Sequence, residues 1–215
     1  MAANPKAQKA AKSVPSDGLR QSIIEAARRS FAEESYAGLT MRKIAARVGC
    51  TAGAIYLYFP GKEDLLRHVW EDEFANLHVY MRGAVDQTRD PIEKVRQIFL
   101  AWVRYFLQHA EDFRIMFVWQ GPGVERDRVD PASSFGRSTE SYQYFRTMLS
   151  EVIRDAPAAP RDLDMAMQSL LTATFGVVAM ANGPSQFPWF DPEEVAETIV
   201  DSILRGWGVE VRRVA

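Results

Sequence analysis

The 215 residues, 47% hydrophobic and 25% charged, can fill one large or two small domains, and 12 Phe, 7 Tyr and 5 Trp are too many for a disordered chain. A single cysteine, Cys50, excludes an intrachain disulfide and a thiolate cluster and fits a reducing, cytoplasmic setting, while the lack of a signal-like apolar core or a long uninterrupted apolar run leads us to expect no membrane partner. The net charge of -2 hides an imbalance: residues 1–68 hold 11 Lys or Arg against 6 Asp or Glu, and residues 69–215 hold 15 against 22, so the front of the chain favours polyanions.

Residues 1–16, rich in Ala, Lys, Pro and Ser, read as a flexible basic arm. Helical order is predicted from Asp17. Ile23, Ala27 and Phe31, with Leu19 and Ile24 beside them, recur at helical spacing over 17–33, ahead of a turn at Tyr36-Ala37-Gly38. Thr40 offers an N-cap oxygen to a two-turn helix with Met41, Ile44, Ala45 and Val48 on one face, closed by Gly49 in the left-handed conformation. Thr51 caps a third helix, expected through Phe59 and stopped by Pro60-Gly61.

From Lys62, with Glu63 and Asp64 suiting the helix dipole, Leu65, Leu66, Val69, Phe74, Leu77, Met81 and Val85 predict one long helix. Asp90-Pro91-Ile92-Glu93 opens another, running to about His109 with Val95, Phe99, Trp102, Val103 and Phe106 on its face. A shorter helix over 110–119 precedes a Gly-, Pro- and charge-rich excursion at 120–137. Helices over about 138–154 and 161–181 follow, parted by Pro157 and Pro160, and after Gly183-Pro184, Pro188 and Asp191-Pro192 a last helix runs through Trp207. The fold class is all-α, divided into the arm 1–16, a domain over 17–67 and a helical domain over 68–215.

The short helix, the Gly49-Cys50-Thr51 turn and the next short helix read as a helix-turn-helix. Ala52 and Gly53 are small enough for close approach to a DNA groove. Tyr56 and Tyr58 can carry hydroxyls to phosphates, or simply pack, and Lys62 adds a point charge. Arg42 and Lys43 follow the Thr40 cap, and the Arg42 fork suits guanine O6 and N7. A helix, a glycine turn and a second helix also occur in proteins that never touch DNA.

Ile23 to Phe31, then Gly38-Leu39-Thr40-Met41-Arg42-Lys43-Ile44-Ala45, then Val48 to Phe59 and Lys62-Glu63-Asp64-Leu65 resemble the amino-terminal domain of the tetracycline-repressor (TetR) family over about residues 17–67. The resemblance implies a homodimeric bacterial transcription regulator, usually a repressor released from a pseudo-palindromic operator in double-stranded DNA by a small molecule. It places Thr40, Thr51, Tyr56, Tyr58 and Lys62 at phosphates, and Arg42 with Ala52, Gly53 and Ala54 toward bases. Cys50 stands where the family usually has valine, a packing change. Few side chains at the start of the third helix can donate hydrogen bonds, so Arg42, methyl contacts and DNA shape are left to specify sequence.

For the remaining chain the resemblance implies effector binding and dimerisation. Phe99, Trp102, Phe106, Met116, Phe117, Tyr142, Phe145 and Phe175 are candidates for an apolar effector pocket, as they are for ordinary core, with His78, His109 and Tyr142 as polar contacts. Leu171, Phe175 and Val178, with Val195, Ile199, Ile203 and Trp207, form an expected dimer surface of two helices from each protomer, and the long helix after Lys62 is an expected lever to the DNA-binding heads. Two rivals are a helical-bundle enzyme and a small-molecule carrier without a DNA role. His68, His78 and His109 match no metal-ligand spacing, so neither enzyme activity nor a cofactor or metal is expected.

Overall fold

The computed structural model describes residues 17–34, 38–85, 90–118, 140–183, 188 and 190–211, and among them every regular element is helical. The expected arm 1–16, the Tyr36-Ala37 turn, the 120–137 excursion and Pro184 lie outside the described residues. The chain divides into two units, Met1–Val69 and Trp70–Ala215, against an expected boundary after residue 67.

In the first unit α1 (Asp17–Glu33) buries Ile23, Ile24, Ala27 and Phe31. α2 (Met41–Val48) buries Met41, Ile44 and Ala45 and ends at Gly49 with φ of 75°, so the cap amide reaches the Ala45 carbonyl. α3 spans only Ala52–Tyr56, shorter than expected. The amides of Leu57 and Tyr58 turn back to Ala54 and Ile55, three residues behind, tightening the turn and driving Phe59 fully into the core before Pro60. α4 (Lys62–Val85) begins in this unit, where Leu65, Leu66 and Val69 complete the core.

The second unit is built round α5 (Pro91–Gln108). The Asp90 carboxylate accepts from the Ile92 amide at 3.0 Å, and Pro91 occupies the first turn. Ile98, Leu100, Ala101 and Tyr105 are buried as well as the predicted Val95, Phe99, Trp102, Val103 and Phe106, because three other helices pack around α5. These are α7 (Glu140–Ile153), α8 (Leu163–Ala181) and α9 (Pro192–Gly206). Asp162 and Asp191 cap the last two through the amides of Asp164, Met165, Glu193 and Glu194. α8 is long and apolar enough to cross a membrane by length and composition, yet Ala166, Met167, Leu170, Val177 and Val178 are core residues.

The segment expected as one helix over 110–119 is instead a turn of α-helix, α6 (Ala110–Phe113), followed by a π-helical turn, Arg114–Val118. The Trp70 indole N–H donates to the Ile115 carbonyl, inside this π turn, at 3.0 Å.

α5 and α9 are joined by a partly buried ion network. The Arg96 guanidinium donates to the buried Asp201 at 2.7 Å, with Glu197 at 3.2 Å and Glu93 at 3.8 Å. Burial opposes the Arg96 charge, but the hydrogen bond it donates to Asp201 and the surrounding carboxylates outweigh it, so its pKa is raised. Beyond α9, Gly208 has φ of 83° and lies against Pro157, where a Cβ would come within 2.8 Å of the ring.

Candidate nucleic-acid interface

Both threonines expected as caps are caps: Thr40 Oγ1 accepts from the Lys43 amide at 3.2 Å, and Thr51 Oγ1 from the Ala54 amide at 3.1 Å. Each hydroxyl keeps its own O–H to donate to an outside acceptor. The start of α3 carries little side chain, with Gly53 exposed and Ala52 and Ala54 half-buried, so backbone or methyl groups can approach a ligand closely. Tyr56 is exposed, whereas Tyr58 is half-buried with its ring 6.4 Å from that of Phe59.

The cations differ in what already holds them. Lys62 Nζ donates to the Leu39 carbonyl at 3.1 Å, tying the entry of α2 to the start of α4, and burial lowers its pKa against a smaller opposing effect of Glu63. Lys43 Nζ is bound by Glu34 at 2.7 Å and by the Gly38 carbonyl at 2.8 Å. The Arg20 guanidinium lies 5.5 Å from the centre of the Phe59 ring. Arg42 is exposed and, among the described residues, makes no hydrogen bond, ion pair or ring contact. The sequence gives no sign that Lys43 and Lys62 are held: their pairing depends on Glu34 and Leu39, whose positions no local spacing gives.

In the second unit the aromatic candidates separate. Trp102, Phe106, Phe117 and Phe175 gather with Phe113, with Trp102 to Phe106 at 4.9 Å and Phe113 to Phe175 at 5.1 Å between ring centres, and Met116 packs against this core. Phe99 instead meets Phe145 at 4.9 Å. The Tyr142 hydroxyl donates to Asp164 at 3.2 Å. His78 stands edge-on to Tyr144, with Nε2 3.7 Å from Glu140 and Nδ1 buried without a hydrogen bond among the described residues. His109, 47% exposed, lies against Tyr105 and Asp112. Among the described residues no three metal-ligating side chains come together.

Of the expected dimer surface, Val178 and Trp207 are buried within their own unit, so they are core residues here and offer no outward face. Leu171, Phe175, Val195, Ile199 and Ile203 are half-buried. Val195 and Ile199 line an apolar groove of about 260 Å³ with Ala173, Gly176, Met180 and Phe190. Met180 is 47% exposed and Phe190 80% exposed. The sequence reading missed these last four, two of them small residues without an apolar signal and Phe190 hidden in Pro-rich punctuation.

The sequence profile of bacterial regulatory proteins of the tetR family matches residues 23–69. The HTH-type transcriptional repressor AcnR of Corynebacterium diphtheriae is 40% identical over 73 residues, 33% of this chain and 38% of the relative. AcnR of Corynebacterium glutamicum is 30% identical over 112 residues, 51% of this chain and 58% of the relative, so the matches span less than two thirds of either relative. A crystal structure of a TetR family transcription regulator from Marinobacter aquaeolei superposes with a TM-score of 0.63 at 18% identity, covering 88% of this chain and 95% of that one. The capped helix pair, its position in the chain and the helical unit that follows agree with these likenesses: over residues 23–69 the chain is similar to the amino-terminal domain of the tetR family of bacterial regulatory proteins.

Proposed function

We propose that the chain is a cytoplasmic DNA-binding transcriptional regulator, a repressor that leaves a pseudo-palindromic operator when a small apolar or amphipathic effector binds its second unit. The observation that carries the reading is the open guanidinium of Arg42, one residue past the first turn's start on a helix whose cap is intact. An exposed planar fork without a partner among the described residues can pair with guanine in the major groove, while the Thr40 and Thr51 hydroxyls and Tyr56 supply phosphate contacts. Ala52, Gly53 and Ala54 would face the bases, with Tyr58, Lys43 and Lys62 at the margin of the contact.

The groove between α8 and α9 supports self-association, since Met180 and Phe190 leave apolar surface in water that a second copy would cover. A two-fold dimer would present two heads to successive major grooves, as a pseudo-palindrome requires. The aromatic cluster of Trp102, Phe106, Phe113, Phe117 and Phe175 beside a π-helical turn supports an apolar effector, which acts by binding one state of the second unit better than another.

Genome-wide mapping of bound DNA in the source bacterium, followed by gel shift on the recovered fragments, tests this reading. The expected result is a few enriched sites sharing an inverted repeat. A protein that enriches no sequence and shifts none of its own flanking DNA would be a carrier or an enzyme instead.

A further inference from the structure

Between residues 17 and 69 there are eight Lys and Arg side chains, and among the described residues at least five of them already rest on a carboxylate. Arg28 and Arg29 share Glu25, and Arg67 meets Asp64, all three or four residues apart on one helix, the ordinary pattern of a helix surface. Lys43 and Arg47 differ. They reach from α2 to the end of α1, where Lys43 binds Glu34 at 2.7 Å and Arg47 binds Glu33 at 2.5 Å and lies 3.8 Å from Glu34. A helix carboxyl end disfavours negative charge, and the last turn of α1 has no basic residue; on its own helix Glu33 feels Arg29, one turn back, more weakly than it feels Arg47 of α2. The cross-helix cations therefore hold these acids more than local helix energetics do.

We propose that Glu33 and Glu34 hold Lys43 and Arg47 away from phosphates, so that the domain binds non-cognate duplex weakly and selection falls on Arg42. The inference rests on the DNA-binding reading above. Sequence-independent affinity for duplex DNA comes from cations that replace condensed counterions, and log K falls with log salt by about 0.9 for each phosphate neutralised. A cation already neutralised by a carboxylate brings no net charge to the backbone. For a phosphate to take it, the carboxylate must be displaced and left facing a polyanion. Arg42, on the same helix and without such a partner among the described residues, keeps its full charge for the duplex. The bond from Arg47 also holds the Glu33 carboxyl below the usual range and raises Arg47, so the pair persists through neutral pH. Both pairs are exposed enough that their removal changes stability little.

The test is fluorescence anisotropy of a labelled random-sequence duplex titrated with the full chain across a salt series. Glu33→Gln/Glu34→Gln is expected to bind roughly tenfold tighter than wild type at low salt, with a log–log slope steeper by about 1.8, two further phosphates. Adding Lys43→Gln and Arg47→Gln returns the slope to the wild-type value. Glu151→Gln/Asp155→Asn, the same change of net charge at exposed positions of the second unit, leaves it unaltered. Should the double variant melt early, Glu34→Gln alone is expected to add about 0.9. A slope unchanged in folded variants, or one that stays steep once Lys43 and Arg47 are gone, overturns the proposal while leaving the DNA reading in place. Failure of every form, wild type included, to bind any duplex at low salt removes both.

Discussion

Arg42 and Gly49 show how much one side chain or one dihedral angle can decide. Arg42→Ala is expected to lose about 1–3 kcal/mol against the cognate site and to relax selectivity there, because the bidentate guanine contact proposed for it would be lost. Competition between an operator and a scrambled duplex measures it, and equal loss on both would show that the residue touches phosphate. Gly49→Ala places a Cβ at φ of 75°, where nothing crowds it within 4 Å, so the cost is that of the left-handed backbone alone, about 1–2 kcal/mol. Chemical denaturation reads this, and an unshifted midpoint would mean the turn relaxes freely. The Gly49 angle was legible in the sequence because a cap is decided by its immediate neighbours. The pairing of Lys43 was not, since its partner lies nine residues away across a turn.

At the scale of the element, Asp201 and Trp207 fasten α9 to the rest of the second unit. Asp201→Asn is expected to cost about 1.5–3 kcal/mol, the loss of a hydrogen bond between charged groups. The 3–5 kcal/mol of a buried pair broken outright is not expected, since Glu197 and Glu93 still face Arg96. Urea unfolding checks it. Trp207→Ala is expected to cost about 3–5 kcal/mol of protomer stability, as large aromatic truncations in a core do, with self-association lost only as far as folding is. A folded but monomeric Trp207→Ala protein would return that residue to the dimer surface. The start of α5 was readable from Asp90, because a cap and its amides are local in sequence, whereas the caps at Asp162 and Asp191 were not read as caps. Which sides are covered was not readable: an apolar period announces a buried face without naming its neighbour, and Val178 and Trp207 went inward. The π turn was equally hidden, as its carbonyl at Ile115 is bound by an indole 45 residues earlier.

For the whole molecule the open question is what covers the groove of Ala173, Gly176, Met180 and Phe190. Ile199→Asp, a charge set into that lining, is expected to turn a dimer into a monomer by sedimentation and to weaken operator binding, since two heads then bind as independent units. A dimer that survives the substitution would put the interface elsewhere. The all-helical class was legible from periodicity, whereas the groove arises from small residues that meet only when α8 and α9 pack. The division after Val69 has one more consequence: all five tryptophans, from Trp70 onward, fall on the same side of it. Light absorbed by tryptophan alone therefore reports on the second unit, while circular dichroism sums both. A denaturation in which the two signals part company would reveal that the DNA-binding head melts on its own.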